Sequence, residues 1–141
     1  MLAALHAGCR AHDFVVVDLP RQLDDAARTA AGRCDVVLIV VPAEVRATAA
    51  AKSVLAAVRT CARDVRVAVR GPAPANVTAT TIAASLGVPL AGEYKAEQRV
   101  ALGLERGDPP GRHGRGSLAS FCARLVSDLL GEVAPDHRRV A

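Results

Sequence analysis

Apolar and polar residues fall along this chain in blocks, and the blocks change period. Phe14-Val15-Val16-Val17 is apolar throughout, mostly β-branched, and runs into Asp18-Leu19-Pro20, which predicts a strand over 14–19 buried on both faces. Val36-Val37-Leu38-Ile39-Val40-Val41 repeats that pattern and stops at Pro42, a second buried strand. Val65 to Val69 is interrupted by Arg66 and followed by Arg70, so it predicts a third strand, less buried than the first two. Val88 to Gly92 is a short fourth strand, which Pro89 pushes toward an edge.

Between these runs the apolar spacing turns helical. Leu2, Leu5 and Cys9 predict a helix over 2–11. Leu23, Ala26, Ala27, Ala30 and Ala31 predict one over 21–32, with Asp24 and Asp25 at its start and Gly32 after its end. Further helices are predicted over 43–61, over 76–86 with Gly87 closing it, and over 95–105. After a Gly- and Pro-rich loop over 107–116, Ser117 caps a last helix in which Leu118, Phe121, Cys122, Leu125, Val126, Leu129 and Leu130 form a wide apolar stripe. Strands alternating with helices imply an α/β fold with a parallel sheet. A single domain is expected over 1–131, followed by a disordered tail over 132–141.

The length of 141 residues is enough for a real core, and with two Phe, one Tyr and no Trp that core must be Ala, Val and Leu. A net charge of +4 allows a weak attraction to anions without establishing one. Cys9, Cys34, Cys61 and Cys122 form no CxxC pair and read as buried, reduced thiols. The opening Met1 to Leu5 is short for a signal-peptide core, and no apolar run reaches the ~20 residues of a membrane-spanning helix, so a cytoplasmic protein is expected.

Candidate chemistry gathers at strand tips. Asp18 has no reason to lie inside an apolar strand; it either faces the crevice at the carboxyl end of the sheet or caps the helix after Pro20. Arg21, Arg46 and Arg70 lie near strand tips, as an anion-binding rim or as ordinary solvated arginines. Arg112, His113 and Arg115 form a short basic loop without interleaved aromatics, so no specific nucleic-acid partner is implied. The last helix carries Ser120, Arg124, Ser127 and Asp128 on its polar face rather than a basic array, which favours core packing over peripheral membrane contact. His6 and His12 do not share a helical face, and no Ser/His/Asp or Cys/His arrangement follows from the spacing.

Four pieces in order carry a resemblance: the strand ending Asp18-Leu19-Pro20; the strand ending Val41-Pro42-Ala43-Glu44-Val45; Leu86-Gly87-Val88-Pro89-Leu90-Ala91-Gly92-Glu93; and Gly107-Asp108-Pro109-Pro110. From about Leu5 to Gly131 the chain resembles the C-terminal half of the MinD/ParA group of P-loop ATPases. Asp18-Leu19-Pro20-Arg21 and Arg70-Gly71-Pro72-Ala73-Pro74 are similar to the CpaE-like septum site-determining proteins of actinobacteria. The resemblance implies a three-layer αβα sheet, a partial SIMIBI-like P-loop NTPase fold lacking the P-loop strand. That strand would lie between 14–19 and 36–41 and would come before Met1. ATP and Mg²⁺ are the cofactors of such a family. Asp18 matches its Mg²⁺-shell acid, Pro20 its switch proline, and Pro42-Ala43-Glu44 the turn that lines its nucleotide site.

Two departures limit what the resemblance implies. No glycine-rich loop with its lysine and Ser/Thr occurs in these residues, and Gly103 to Gly116 follows a helix, lacks lysine and is broken by Pro109 and Pro110. Arg70 stands where an asparagine reads the adenine, and a guanidinium cannot supply an amide's paired donor and acceptor. The expectation is therefore a regulatory protein of septum placement or pole organisation. It does not hydrolyse ATP by itself and has no cofactor of its own; its partners are proteins of the division or pole machinery, with a homodimer left open. The alternative is the C-terminal half of a working Mg-ATPase whose P-loop comes from upstream sequence or another chain. A receiver-like module would need an acidic cluster at the first strand tip, where Asp18 stands alone.

Overall fold

The computed structural model describes residues 2–73, 77–111 and 114–133. Its described elements are α1 (Leu2–Ala11), α2 (Asp25–Ala31), β1 (Val37–Pro42), α3 (Val45–Val58), β2 (Val65–Gly71), α4 (Ala79–Leu86), β3 (Leu90–Lys95), α5 (Gln98–Glu105) and α6 (Ser117–Val133). Asn76, Arg112, His113 and residues 134–141 of the tail expected over 132–141 lie outside the described residues, while positions 132 and 133 belong to α6.

The three strands form a parallel sheet in the order β1-β2-β3. Because strand order advances in one direction, right-handed crossovers put both connecting helices on the same face. That face holds the core. Val37 and Val41 of β1 and Val65, Val67 and Val69 of β2 pack with Ala51, Leu55 and Val58 of α3 and with Ala79, Ile82, Ala83 and Leu86 of α4. The helical members recur at i, i+3, i+4 and i+7, the spacing that lines one face of a helix. Each fully buried Val, Leu or Ile stabilises the fold by roughly 1.5–3 kcal/mol.

Local chemistry sets the helix ends. Asp24 accepts the Ala27 amide at 2.7 Å and N-caps α2. Thr78 accepts the Thr81 amide at 3.1 Å and N-caps α4. Gly87 ends α4 in the left-handed region at φ 65°, where glycine pays no Cβ penalty. Its carbonyl accepts a 2.6 Å hydrogen bond from Arg59, which ties the C-terminal ends of α3 and α4 together.

The opposite face carries α6, which lies on β3 and completes an α/β arrangement of helices on both sides of the sheet. Ala68 and Phe121 are buried on that side, apart from the main cluster. Gly92 makes this contact: a Cβ there would meet the Phe121 ring at 3.0 and 3.1 Å, and its φ of 146° favours glycine.

Four expectations are corrected. Residues 14–19 do not form a strand: Phe14, Val15 and Val16 are exposed, Val16 at 81%, and of this stretch only Leu19 packs on the core, with Leu23 after it. An apolar run becomes a strand only beside a neighbour that takes its N–H and C=O groups, and among the described residues this one has none. The third expected strand, β2, is the most buried because it is the middle one, and the exposure falls on its neighbours: Val40 of β1 is 53% exposed and no residue of β3 is fully buried. The stripe of α6 is covered mainly at Phe121, while Cys122 and Leu130 are exposed. Cys9 is exposed like Cys122, and only Cys34 and Cys61 are half-buried.

Candidate functional site at the carboxyl ends of the strands

The parallel register brings three strand tips into one row. Pro42 pairs with Arg70, and Arg70 with Tyr94. Residues that pair across a parallel sheet share a face, and Tyr94 stacks on Phe121 of α6, so the row lies on the α6 side. Backbone bonds extend the stitching past the strands: the Ala43 amide donates to the Arg70 carbonyl at 2.9 Å, and the Ala96 amide to the Gly71 carbonyl at 2.9 Å. Ligands of open α/β sheets bind outside such carboxyl ends.

Each side chain in the row has a distinct setting. Pro42 is half-buried, and Glu44, two residues on, is the exposed N-terminal flank of α3 with no side-chain capping bond. Arg70 is exposed. Tyr94 is half-buried, its ring 5.3 Å from that of Phe121 with 28° between the planes. Burial pushes its hydroxyl pKa up, the nearby Arg70 charge pulls it part of the way back, and Cys122 adds to the rise.

A polar knot closes one flank of this row. The Glu97 carboxylate accepts the Leu118 amide at 3.1 Å and holds Arg99 at 2.6 Å. Arg99 donates to the Arg115 carbonyl, and the Lys95 amide to the Ser117 hydroxyl oxygen at 2.8 Å. The first turn of α6 is thus served by Glu97, while the Ser117 hydroxyl, expected to cap it, bonds β3 instead. Leaving out Cβ matters again at Gly116, where one would run into Arg99 and Glu97 and where φ is 114°. The Arg99 ion pair and the α6 amides hold the Glu97 pKa below the usual carboxylate range.

Of the sequence-predicted residues, Pro42, Glu44 and Arg70 come together at the tips. Asp18 and Pro20 do not join the sheet: both are exposed in the unpaired stretch before α2. Among the described residues no group of three or more His, Cys, Asp or Glu gathers as metal ligands. A lone exposed carboxylate is a poor match for Mg²⁺, which is held by carboxylates together with substrate phosphates, so Asp18 as placed here does not fit a Mg-ATP site. Arg21 and Arg46 are exposed but stand outside the row. Tyr94, Glu97 and Arg99 had no role in the sequence reading. The chain's single tyrosine was itself a signal for the first; the other two act through a helix some twenty residues away, which no local pattern reports.

No family model matches the chain, and no solved structure matches it. It is 37% identical over 139 residues to the uncharacterized protein Rv3660c of Mycobacterium tuberculosis strain H37Rv, and equally to the uncharacterized protein MT3760 of strain CDC 1551. The match covers 99% of this chain. The chain spans 39% of the length of these curated relatives. No helix among the described residues is long and apolar enough to cross a membrane.

Proposed function

We propose that the chain is a regulatory α/β protein of the MinD/CpaE-like kind, serving septum placement or pole organisation through protein contacts at the carboxyl ends of its strands. The row Pro42–Arg70–Tyr94 carries this reading, because it is a partly exposed, register-fixed surface where such sheets engage ligands yet it offers little to a nucleotide. A nucleotide site needs backbone donors and a lysine for the phosphates and a paired donor and acceptor for the base. Within these residues the first is missing from the sequence, and Arg70 occupies the second.

A second reading is favoured by a separate observation. Among the described residues β1 has no neighbour on its outer edge and Val40 is exposed, and the curated relatives are about two and a half times as long as the matched stretch. Parallel strands are ordinarily covered on both faces, so polypeptide outside these residues would supply a neighbouring strand and, with it, the phosphate loop of a Mg-ATPase. The two readings separate in a pull-down from cells that make the chain with and without the corresponding extra length. Capture of division or pole proteins by the 141-residue chain, lost in Arg70→Glu, supports the regulatory reading. ATPase activity that appears only with the added length supports the other.

A further inference from the structure

The two edges of the sheet are not protected alike. In a parallel ladder the backbone groups of a strand turn alternately to one side and the other. The amides of Val37 and Ala43 donate to the Asp64 and Arg70 carbonyls on the β2 side, so those of Leu38 and Val40 point outward, and among the described residues no backbone carbonyl accepts them. β3, at the other edge, is interrupted by a register shift that skips Ala91 and carries exposed Glu93 and Lys95, features that discourage a foreign strand. β1 has no such guard, since Val37 to Val41 are all apolar.

We infer that residues 14–19 are a strap poised to close on this edge, pairing with β1 as a fourth parallel strand and shielding it until another polypeptide takes that place. The strap works whatever the strand-tip face binds.

Its residues already follow a strand's two-residue period. Val17 and Leu19 are half-buried, while Val16 and Asp18 between and before them are exposed. Leu19 packs on the core cluster that contains Val37 and Val41. Seated beside β1, the run would therefore keep Val17 and Leu19 on the core face and Val16 and Asp18 on the other. Its backbone makes no hydrogen bond to the backbone of any described residue, so the outward side of β1 supplies what it lacks.

The connection is also in place. A strand joined to a parallel neighbour through a helix makes a right-handed crossover, which here requires α2 on the face that holds α3 and α4. Ala31 of α2 lies in that core, and Arg28 donates to the Thr60 hydroxyl past the end of α3 at 3.3 Å. Tethering decides which strand closes the edge: a short tether presents its segment at an effective concentration of about a millimolar, above that of a second copy in a dilute sample. Edge pairing leaves the Val40 side chain uncovered, because it lies on the face opposite the core.

Amide hydrogen exchange of the whole chain, read residue by residue by NMR, tests the strap. The Leu38 and Val40 amides are expected to exchange at least about tenfold more slowly than unpaired amides, and equally so in a diluted sample. Replacing Val15→Pro and Val16→Pro together removes one amide of each parity from residues exposed in the structure. That variant is expected to free Leu38 and Val40 while Ile39 and Val41, whose amides turn to β2, stay protected and show that the fold is kept. Unprotected Leu38 and Val40 amides in the natural chain overturn the inference, as does protection that survives the two prolines. Protection that falls on dilution overturns it too, by giving the edge to a second copy.

Discussion

Replacing Gly92 by alanine tests how the strand-tip row is held. The new Cβ would sit 3.0 and 3.1 Å from two carbons of the Phe121 ring, closer than ordinary van der Waals contact, on a backbone at φ 146°. An L-residue in that region costs about 1–3 kcal/mol, and overpacking a fitted contact costs about 1–3 kcal/mol. Partial withdrawal of α6 relieves some of both, leaving a net loss of about 2–4 kcal/mol. Phe121→Ala removes a buried ring and is expected to cost about 3–5 kcal/mol. In the double variant the ring is gone and only the backbone cost of alanine remains, so the two losses fall short of adding by about 1–3 kcal/mol. Urea denaturation followed by far-UV circular dichroism measures all four stabilities, and Tyr94 emission reports whether the stack has opened. A Gly92→Ala protein within about 0.5 kcal/mol of the natural one, or strict additivity in the double variant, refutes the seating of Phe121 on Gly92.

Three other outcomes follow from named contacts. Glu97 has a lowered pKa in the fold, so its stabilising effect is full above the unfolded carboxylate value and is lost as pH falls through the folded one. Acid titration of α6 amide signals by NMR is expected to show this loosening in the natural protein, and Glu97→Gln is expected to be loosened already at neutral pH. Arg70→Gln removes the charge that favours ionised Tyr94 and is expected to raise the tyrosine pKa further, read by ultraviolet absorbance; a fall would mean that Arg70 does not face the ring. Val40→Lys on the open side of β1 is expected to change stability by less than about 0.5 kcal/mol and to reduce aggregation. A loss above ~1 kcal/mol would mean that Val40 is covered in solution.

Much of the fold was legible because its signals are local. The Asp24 and Gly87 helix ends, the 3.6-residue spacing in α3 and α4, and the prolines closing β1 and the 14–19 run can all be read from neighbours in sequence. What a run pairs with is a property of the whole sheet, and there the reading failed. Phe14 to Leu19 has the composition of a buried strand and no partner among the described residues. The interruption of β2 by Arg66 suggested a half-exposed strand, yet the arginine extends to Asp64 while Val65, Val67, Ala68 and Val69 are enclosed. At the site, Pro42 and Arg70 were legible from their place after apolar runs. Tyr94 was not, because Val88-Pro89 suggested a strand ending at Gly92, whereas the strand runs on to Lys95. The Glu97 knot joins residues that only the packing of α6 brings together.

The proposed role turns on whether the strand-tip face has kept a nucleotide site. Isothermal calorimetry of ATP with Mg²⁺ on the purified chain, run beside Asp18→Ala, measures this directly. No binding heat is expected for either protein at millimolar ATP. Saturable binding that weakens in Asp18→Ala would contradict it, since an exposed carboxylate outside the sheet would then be holding the metal of a surviving nucleotide site.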